Sequence, residues 1–410
     1  MRALITGIGA ITPVGLTAKE SWQNLLAGVS GIAPIEAFDA SNLPVRIAGE
    51  IKDFAPNGIE PKSARRMSRF AQFCVAASQE AAADAGLELS DEERPRAAVA
   101  LATGAGGVLN TFSETETFLT KGPSRVSPLF IPLMAPNMGA CQVGMELGLR
   151  GPTLASTAAC ASGLYSYIEA KALIEGGIAD IVFAGGAEAA IHPVSIAGLA
   201  NMKALSRRNE DPEGASRPFD KDRDGFVFGE GVGVFVVEAE ERARKRGARV
   251  YAELAGGALS SDAYHITAPR DDGSGAAQAM TGALTNAGLE TEDIDYISAH
   301  GTGTPLNDVS ETLAVKVAFG DHAHKLALSA TKSMVGHLLG GAGAVGAMAA
   351  VLAIAENRVP PTINLDTPDP ECDLDYVPKE ARDLPVRAAM ANGFGFGGQN
   401  GSVIFRKYEG

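Results

Sequence analysis

Cysteine is scarce in this chain. Cys74, Cys141, Cys160 and Cys372 are the only four in 410 residues, with no CxxC pair and no Cys/His cluster at zinc-ligand spacing. That excludes a disulfide scaffold and a zinc site, and leaves a reduced, cytoplasmic chain as the expectation. Basic charge is also short. Lys and Arg number 35 against 49 Asp and Glu, a net charge of −14, so neither nucleic-acid nor anionic-membrane binding has general electrostatic support. No GxxxxGK[ST] run occurs, which removes a P-loop.

What the chain does have is glycine, 48 residues of it, without a Gly-X-Y period, and a hydrophobic content of 46%. Tight turns and close backbone packing within one or two large cores are implied. Short apolar, β-rich runs (Ala97 to Ala102, Ile181 to Ala184, Val232 to Val237, Ile294 to Ser298, Ser402 to Phe405) alternate with Ala-rich helical segments. Such alternation predicts an α/β protein whose sheets are buried on both faces. The charged stretch Glu238 to Gly247 reads as a polar helix at the midpoint, dividing the chain into 1–248 and 249–410. Each part runs from a strand through helices to a Gly/Ser/Thr-rich turn with a reactive side chain. Met1 to Gly15 reads as a buried strand and turn, without the long apolar core of a signal peptide. Leu338 to Ala355 is uncharged and passes a membrane-span filter, but its glycines and alanines predict a helix enclosed in a soluble core.

Two motifs are decoys. Thr6 to Ala10 (TGIGA) lacks the third glycine of a dinucleotide fingerprint and reads as a tight turn. Asp220 to Gly225 (DKDRDG) starts like a calcium loop, yet Gly231 stands where the bidentate Glu belongs. Charged turn residues held by local salt bridges are expected there, and no metal site is assigned.

The chemistry concentrates in three segments. Ser156 to Leu164 (STAACASGL) crowds small residues around Cys160 just before a helical pattern. Small neighbours leave room for a carbonyl, and a helix N-terminus lowers a thiol below about 8.5 and offers N–H groups to an oxyanion. His300 follows a strand in a turn of Gly and Thr, while His337 stands before the Gly/Ala helix, five residues after Lys332. The other histidines lack such a setting.

TAACASG around Cys160, AHGTGTPLND from Ala299, TKSMVGHLLGGAGAVG from Thr331 and NGFGFGGQNGS from Asn392 resemble the β-ketoacyl-acyl-carrier-protein synthases, and the similarity spans essentially the whole chain. The resemblance implies a thiolase-like fold of two similar α/β halves layered α-β-α-β-α, with Cys160 in the first and His300, Lys332 and His337 in the second. It implies decarboxylative condensation of malonyl-acyl carrier protein with an acyl chain held on Cys160, with His300 and His337 stabilising the enolate. Lys332 is expected to pair with Glu311, Thr302 and Thr304 to bind pantetheine, and Phe396 to gate the acyl pocket and, with Cys160, to supply the oxyanion N–H groups. No resident cofactor is implied, since the phosphopantetheine belongs to the carrier protein. A homodimer is implied, and Lys62, Arg65, Arg66 and Arg69 on one amphipathic helix are the expected landing patch for the acidic carrier. Polyketide ketosynthases share the Cys-His-His set and stand as the alternative.

Overall fold

The computed structural model describes residues 1–56 and 58–410. Its centre is a ten-stranded mixed sheet: β1 (Ala3–Ile11), β2 (Ala97–Ala102), β3 (Thr153–Leu154), β4 (Ile181–Glu188), β5 (Gly231–Ala239), β6 (Ala252–Ser261), β7 (Tyr296–Ser298), β8 (Ala327–Ser329), β9 (Ala388–Gly395) and β10 (Gln399–Arg406). The strand order is β8-β7-β9-β10-β6-β1-β5-β4-β2-β3. The first five strands lie in the order 3-2-4-5-1 counted along the chain, and the second five repeat it. In both sets the third, second and fourth strands are parallel and the fifth and first antiparallel. A short antiparallel ladder, Leu4 with Glu253 and Ile5 with Ala252, joins the sets. The two halves are therefore a structural repeat.

Helices follow the same doubling. α1 (Arg69–Asp84) and α2 (Met138–Leu147) cover the outer face of the first half, and α4 (Ser274–Ala287) and α5 (Pro305–Phe319) that of the second. Between the halves run α3 (Ser162–Glu175) and α6 (Ala342–Glu356), each touching strands of both sets. The result is five layers, α-β-α-β-α, in a thiolase-like fold. Helix α6 is the membrane-like segment of the sequence. It is buried from Ala342 to Ile354 except at Gly346, which fits an enclosed core helix.

Glycine sets the spacing between layers. The expected turn at Thr6 to Ala10 is instead the interior of β1. A Cβ at Gly7 or Gly9 would stand 2.2 Å from the Ala81 carbonyl or 1.9 Å from that of Ala77, both on α1, so these glycines let a helix lie directly on a strand. The same device holds the central layer. A Cβ on Gly163 would lie 2.7 Å from the Ala344 nitrogen, and one on Gly343 would lie 3.2 Å from the Leu164 nitrogen. These contacts exchange under a shift of 180 residues, the signature of a local two-fold axis between α3 and α6.

The calcium-like segment is a salt-bridge knot. Buried Asp220 accepts from Arg217 and from the backbone of Asp222, Asp366 and Thr367, while Arg223 pairs with Asp369. The carboxylates of Asp220 and Asp224 are taken by the protein's own donors, as the charged-turn reading expects.

Candidate active site

Both central helices begin in a strained turn. Ala159, φ 48°, precedes Cys160 at the start of α3, and Leu339, φ 41°, precedes Gly340 at the start of α6. Left-handed backbone at a non-glycine costs about 1–2 kcal/mol, so tertiary contacts must hold each turn. At Cys160 the holder is Ser162, whose hydroxyl accepts from Ala158 N–H at 2.8 Å and donates to the Ala159 carbonyl at 2.7 Å. Gly395 completes the approach: a Cβ there would lie 2.7 Å from the Ala158 carbonyl. The tip of the β9–β10 hairpin, Phe396 to Gly398, thereby comes against the cysteine.

His300 is fixed through its backbone. Glu311 on α5 accepts from His300 N–H at 2.8 Å and from Gly301 N–H at 2.7 Å, and Lys332 Nζ donates to the His300 carbonyl at 2.5 Å. The expected Lys332–Glu311 ion pair does not form; both groups grip the His300 peptide instead. Three charge-assisted hydrogen bonds, two accepted by Glu311 and one donated by Lys332, give each buried group a backbone partner at a separate point. His337 is fixed through its ring, whose Nδ1 accepts from Leu339 N–H at 3.2 Å. That leaves its Nε2 to carry the proton. The two rings stand edge to face with centroids 5.5 Å apart.

Cys160, His300 and His337 open on one cavity of about 320 Å³, with Thr302, Thr304, Phe394 and Phe396 also in its wall. Lys332 supports the site from behind. Thr302 and Thr304 share a 2.9 Å hydroxyl contact, and Thr304 also caps α5. Phe396 is half-buried, followed by Gly397 and Gly398 at φ 83° and 75°, where an ordinary side chain would be strained. Sequence reasoning missed Phe394, 5.5 Å from the His300 ring, and Phe226, 5.1 Å from the His337 ring. The signal for Phe394 lay in the alternation of the run: Gly393 and Gly395 lie against the Cys160 turn, and Phe394 between them points to the other side, toward His300.

Burial dominates the electrostatics. It pushes the Cys160 thiol up to about 11, against the lowering effects of Lys332 and of the Phe396 and Cys160 backbone N–H groups, and Glu188 raises it further. The lowering expected from sequence is present in the Lys332 charge and the two backbone N–H groups, but desolvation of the buried sulfur is larger and the net shift is upward. Burial, then Lys332, holds both imidazoles well below their ordinary range, so both are neutral at pH 7. Burial also lowers Lys332 to about 8, with Glu311 opposing that shift.

The basic patch is not one helix. Lys62 lies in a four-residue helical turn, Arg65 and Arg66 follow it in a loop, and Arg69 opens α1. Lys62, Arg65 and Arg66 are exposed, whereas Arg69 is drawn inward by Glu230, donates to the Ile51 carbonyl and lies over the Phe73 ring. None of the four lines the cavity around Cys160.

The family model for the Beta-ketoacyl synthase, N-terminal domain, matches residues 2–243, and that for the C-terminal domain matches residues 251–366. A curated relative from Synechocystis, 3-oxoacyl-[acyl-carrier-protein] synthase 2, is 51% identical over 409 residues, covering 100% of this chain and 98% of its own length. The protein of that name from Coxiella burnetii is 46% identical over 407 residues, covering 99% and 98%. Among solved structures, a beta-ketoacyl synthase from Burkholderia phymatum superposes with a TM-score of 0.93 at 34% identity over 100% of both chains. A ketosynthase solved with its type II polyketide acyl-carrier protein gives 0.91 at 33% identity over 99% of both.

Proposed function

Because the chain belongs to the β-ketoacyl synthase family, we propose that its cavity carries out the decarboxylative condensation of fatty-acid elongation, extending an acyl chain on carrier protein by two carbons. The convergence of one thiol and two neutral imidazoles on a single cavity, with the Lys332 ammonium behind them on the His300 carbonyl, carries this reading. We assign residues 1–248 to a nucleophile half and 249–410 to a histidine half.

In the first step Cys160 Sγ attacks the acyl thioester. Its bond to the acyl carbon forms, the bond to the pantetheine sulfur breaks, and the proton leaves with that thiol. The N–H groups of Cys160 and Phe396, which already act on the sulfur, are set to hold the oxyanion. In the second step the malonyl thioester occupies the same cavity, its arm against Thr302 and Thr304. The bond to the carboxylate breaks, carbon dioxide leaves, and the electron pair becomes an enolate whose oxygen accepts from His300 and His337. Neutral rings donate a hydrogen bond without an acidic proton to quench the carbanion. Burial and the Lys332 cation keep them neutral, which gives that lysine an electrostatic as well as a structural role. The enolate carbon then attacks the acyl-Cys160 carbonyl, and collapse of the adduct returns the thiolate.

Lys62, Arg65 and Arg66 are the cations we assign to docking an acidic carrier protein; Arg69 is spent on Glu230. Phe396, between glycines, is the gate. A homodimer is supported by the two-residue edge strand β3 and by the exposed Phe118, Leu119, Leu129, Ile131 and Met145 nearby in sequence. Four free thiols fit the cytoplasm. The polyketide alternative has the weaker support, since identity to the fatty-acid enzymes is 46–51% and to the polyketide ketosynthase 33%.

The test is product mass. Enzyme, malonyl-carrier protein and a series of straight-chain acyl-carrier proteins should give 3-oxoacyl-carrier protein two carbons longer. The Cys160→Ala variant should give none. Acylation of Cys160 without straight-chain extension would move the assignment to a polyketide ketosynthase.

A further inference from the structure

The strongest unexplained group in the molecule is Glu188, the last residue of β4. Its side chain is fully buried, yet it reaches neither substrate space nor a cation. It accepts four hydrogen bonds: from Gly104 N–H at 2.9 Å, Ala105 N–H at 3.3 Å, Thr103 Oγ1 at 3.2 Å and Gly340 N–H at 3.1 Å. The first three belong to the turn after β2 in one half, the fourth to the turn that opens α6 in the other. One carboxylate therefore ties the two halves together beside the cavity.

Gly340 directly follows Leu339, the residue with φ 41° whose N–H fixes the His337 ring. A Cβ at Gly340 would lie 2.3 Å from the Gly104 nitrogen, so the two turns meet backbone to backbone with no side chain to brace them. Within the turn Gly341 N–H bonds the Leu338 carbonyl at 2.8 Å, and the Glu188 hydrogen bond is the side-chain contact that ties the turn to the one after β2. We propose that Glu188 is a positioning residue for condensation: by anchoring Gly340 N–H it keeps Leu339 left-handed, which keeps the Leu339 N–H on His337 Nδ1 and the proton on the substrate-facing Nε2.

The arrangement has a cost that packing alone would not justify. Burial pushes Glu188 up to about 7, and its charge raises the Cys160 thiol, which opposes nucleophilic attack. An apolar residue of similar size would avoid both penalties but leave Gly340 N–H without a partner.

The inference rests on the condensing reading, and the full-length Glu188→Gln variant separates the two. An amide keeps one acceptor oxygen but turns an NH₂ toward backbone donors. The decarboxylation of malonyl-carrier protein should fall on the order of 10- to 100-fold, the scale of one charge-assisted hydrogen bond. Acylation of Cys160 by acyl-carrier protein should hold or rise, because it does not use His337 and the variant removes the charge that raises the thiol. In ¹⁵N-histidine spectra the His337 signal, identified by its loss in His337→Asn, should move from the Nε2–H tautomer toward a mixture. Equal losses in both partial reactions, or an unchanged tautomer, would overturn the inference. If Glu188→Gln does not fold, Glu188→Asp, one methylene too short for Gly340, gives the same readouts. Failure of the wild type to condense would instead count against the condensing reading, while the tautomer spectrum still tests Glu188.

Discussion

Gly163→Ala puts a single methyl group into the contact on which the two halves turn. The new Cβ would lie 2.7 Å from the Ala344 nitrogen and 3.1 Å from the Gly340 carbonyl, where ordinary contact starts at 3.4 Å. Helices α3 and α6 must separate by about 0.7 Å, since neither obstruction is a side chain that can swing aside. Overpacking of this kind costs about 1–3 kcal/mol of stability. The functional loss should be larger than the stability loss suggests. Gly163 follows Cys160 by three residues and Gly340 follows His337 by three, so separating the helices moves nucleophile and imidazole apart, and a misplacement near 1 Å costs on the order of 100-fold in rate. Urea unfolding and steady-state condensation, measured on the same preparation, check both numbers. Gly198→Ala is the control: it has no neighbour within 4 Å and sits in the helix Pro193–Asn201, so it should be neutral or stabilise by about 0.5–1 kcal/mol. A Gly163→Ala enzyme that is folded and condenses at the wild-type rate would refute the claim that this contact sets the site.

Other perturbations read separate parts of the account. Lys332→Met removes the cation that holds the Cys160 thiol down, so alkylation of Cys160 by iodoacetamide should slow below about pH 8, where that lysine is charged, and the difference from wild type should fade above it. Glu311→Gln leaves one of the His300 and Gly301 N–H groups unpaired and should lower malonyl decarboxylation on the order of 10- to 100-fold in the carrier-protein assay. Charge reversal at Arg65 and Arg66 together should raise KM for carrier-protein substrates with little change in kcat; unchanged kinetics would remove these residues from docking. Burial raises Glu80, far from the cavity, to about 7, above its unfolded value of 4.5. The stability it contributes is therefore complete below pH 4.5 and lost as pH rises through 7, about 3 kcal/mol in all. Urea midpoints of wild type and Glu80→Gln should diverge over that window, with the wild type showing the steeper decline.

How much of this was legible before the structure depends on whether the signal was local. His300 and His337 stand beside Gly301, Gly303 and Gly336, whose φ of 36°, 76° and 72° calls for glycine, and Cys160 stands among small residues ahead of a helix, so each carries a local signal that sequence displays. The enclosed helix Ala342–Glu356 was legible from composition. Gly7 and Gly9 misled, because a glycine that admits a neighbouring helix looks the same in sequence as one that makes a turn. The doubling of the fold was only hinted at, since it preserves a backbone path and not residues: Ala159 and Leu339 share a strained conformation and no chemistry. Glu188, Phe226 and Phe394 became functional candidates only when the halves were brought together. The single basic helix breaks between Ala64 and Arg69, and Arg69 leaves the exposed patch because it meets Glu230, a partner 161 residues away.

The most direct test of the central claim is the intact mass of the enzyme after acyl-carrier protein is added alone. The account predicts one acyl group per chain, located on Cys160 by peptide mapping and discharged when malonyl-carrier protein is added. An adduct on another residue, or condensation that proceeds while Cys160 never carries the acyl group, would contradict it.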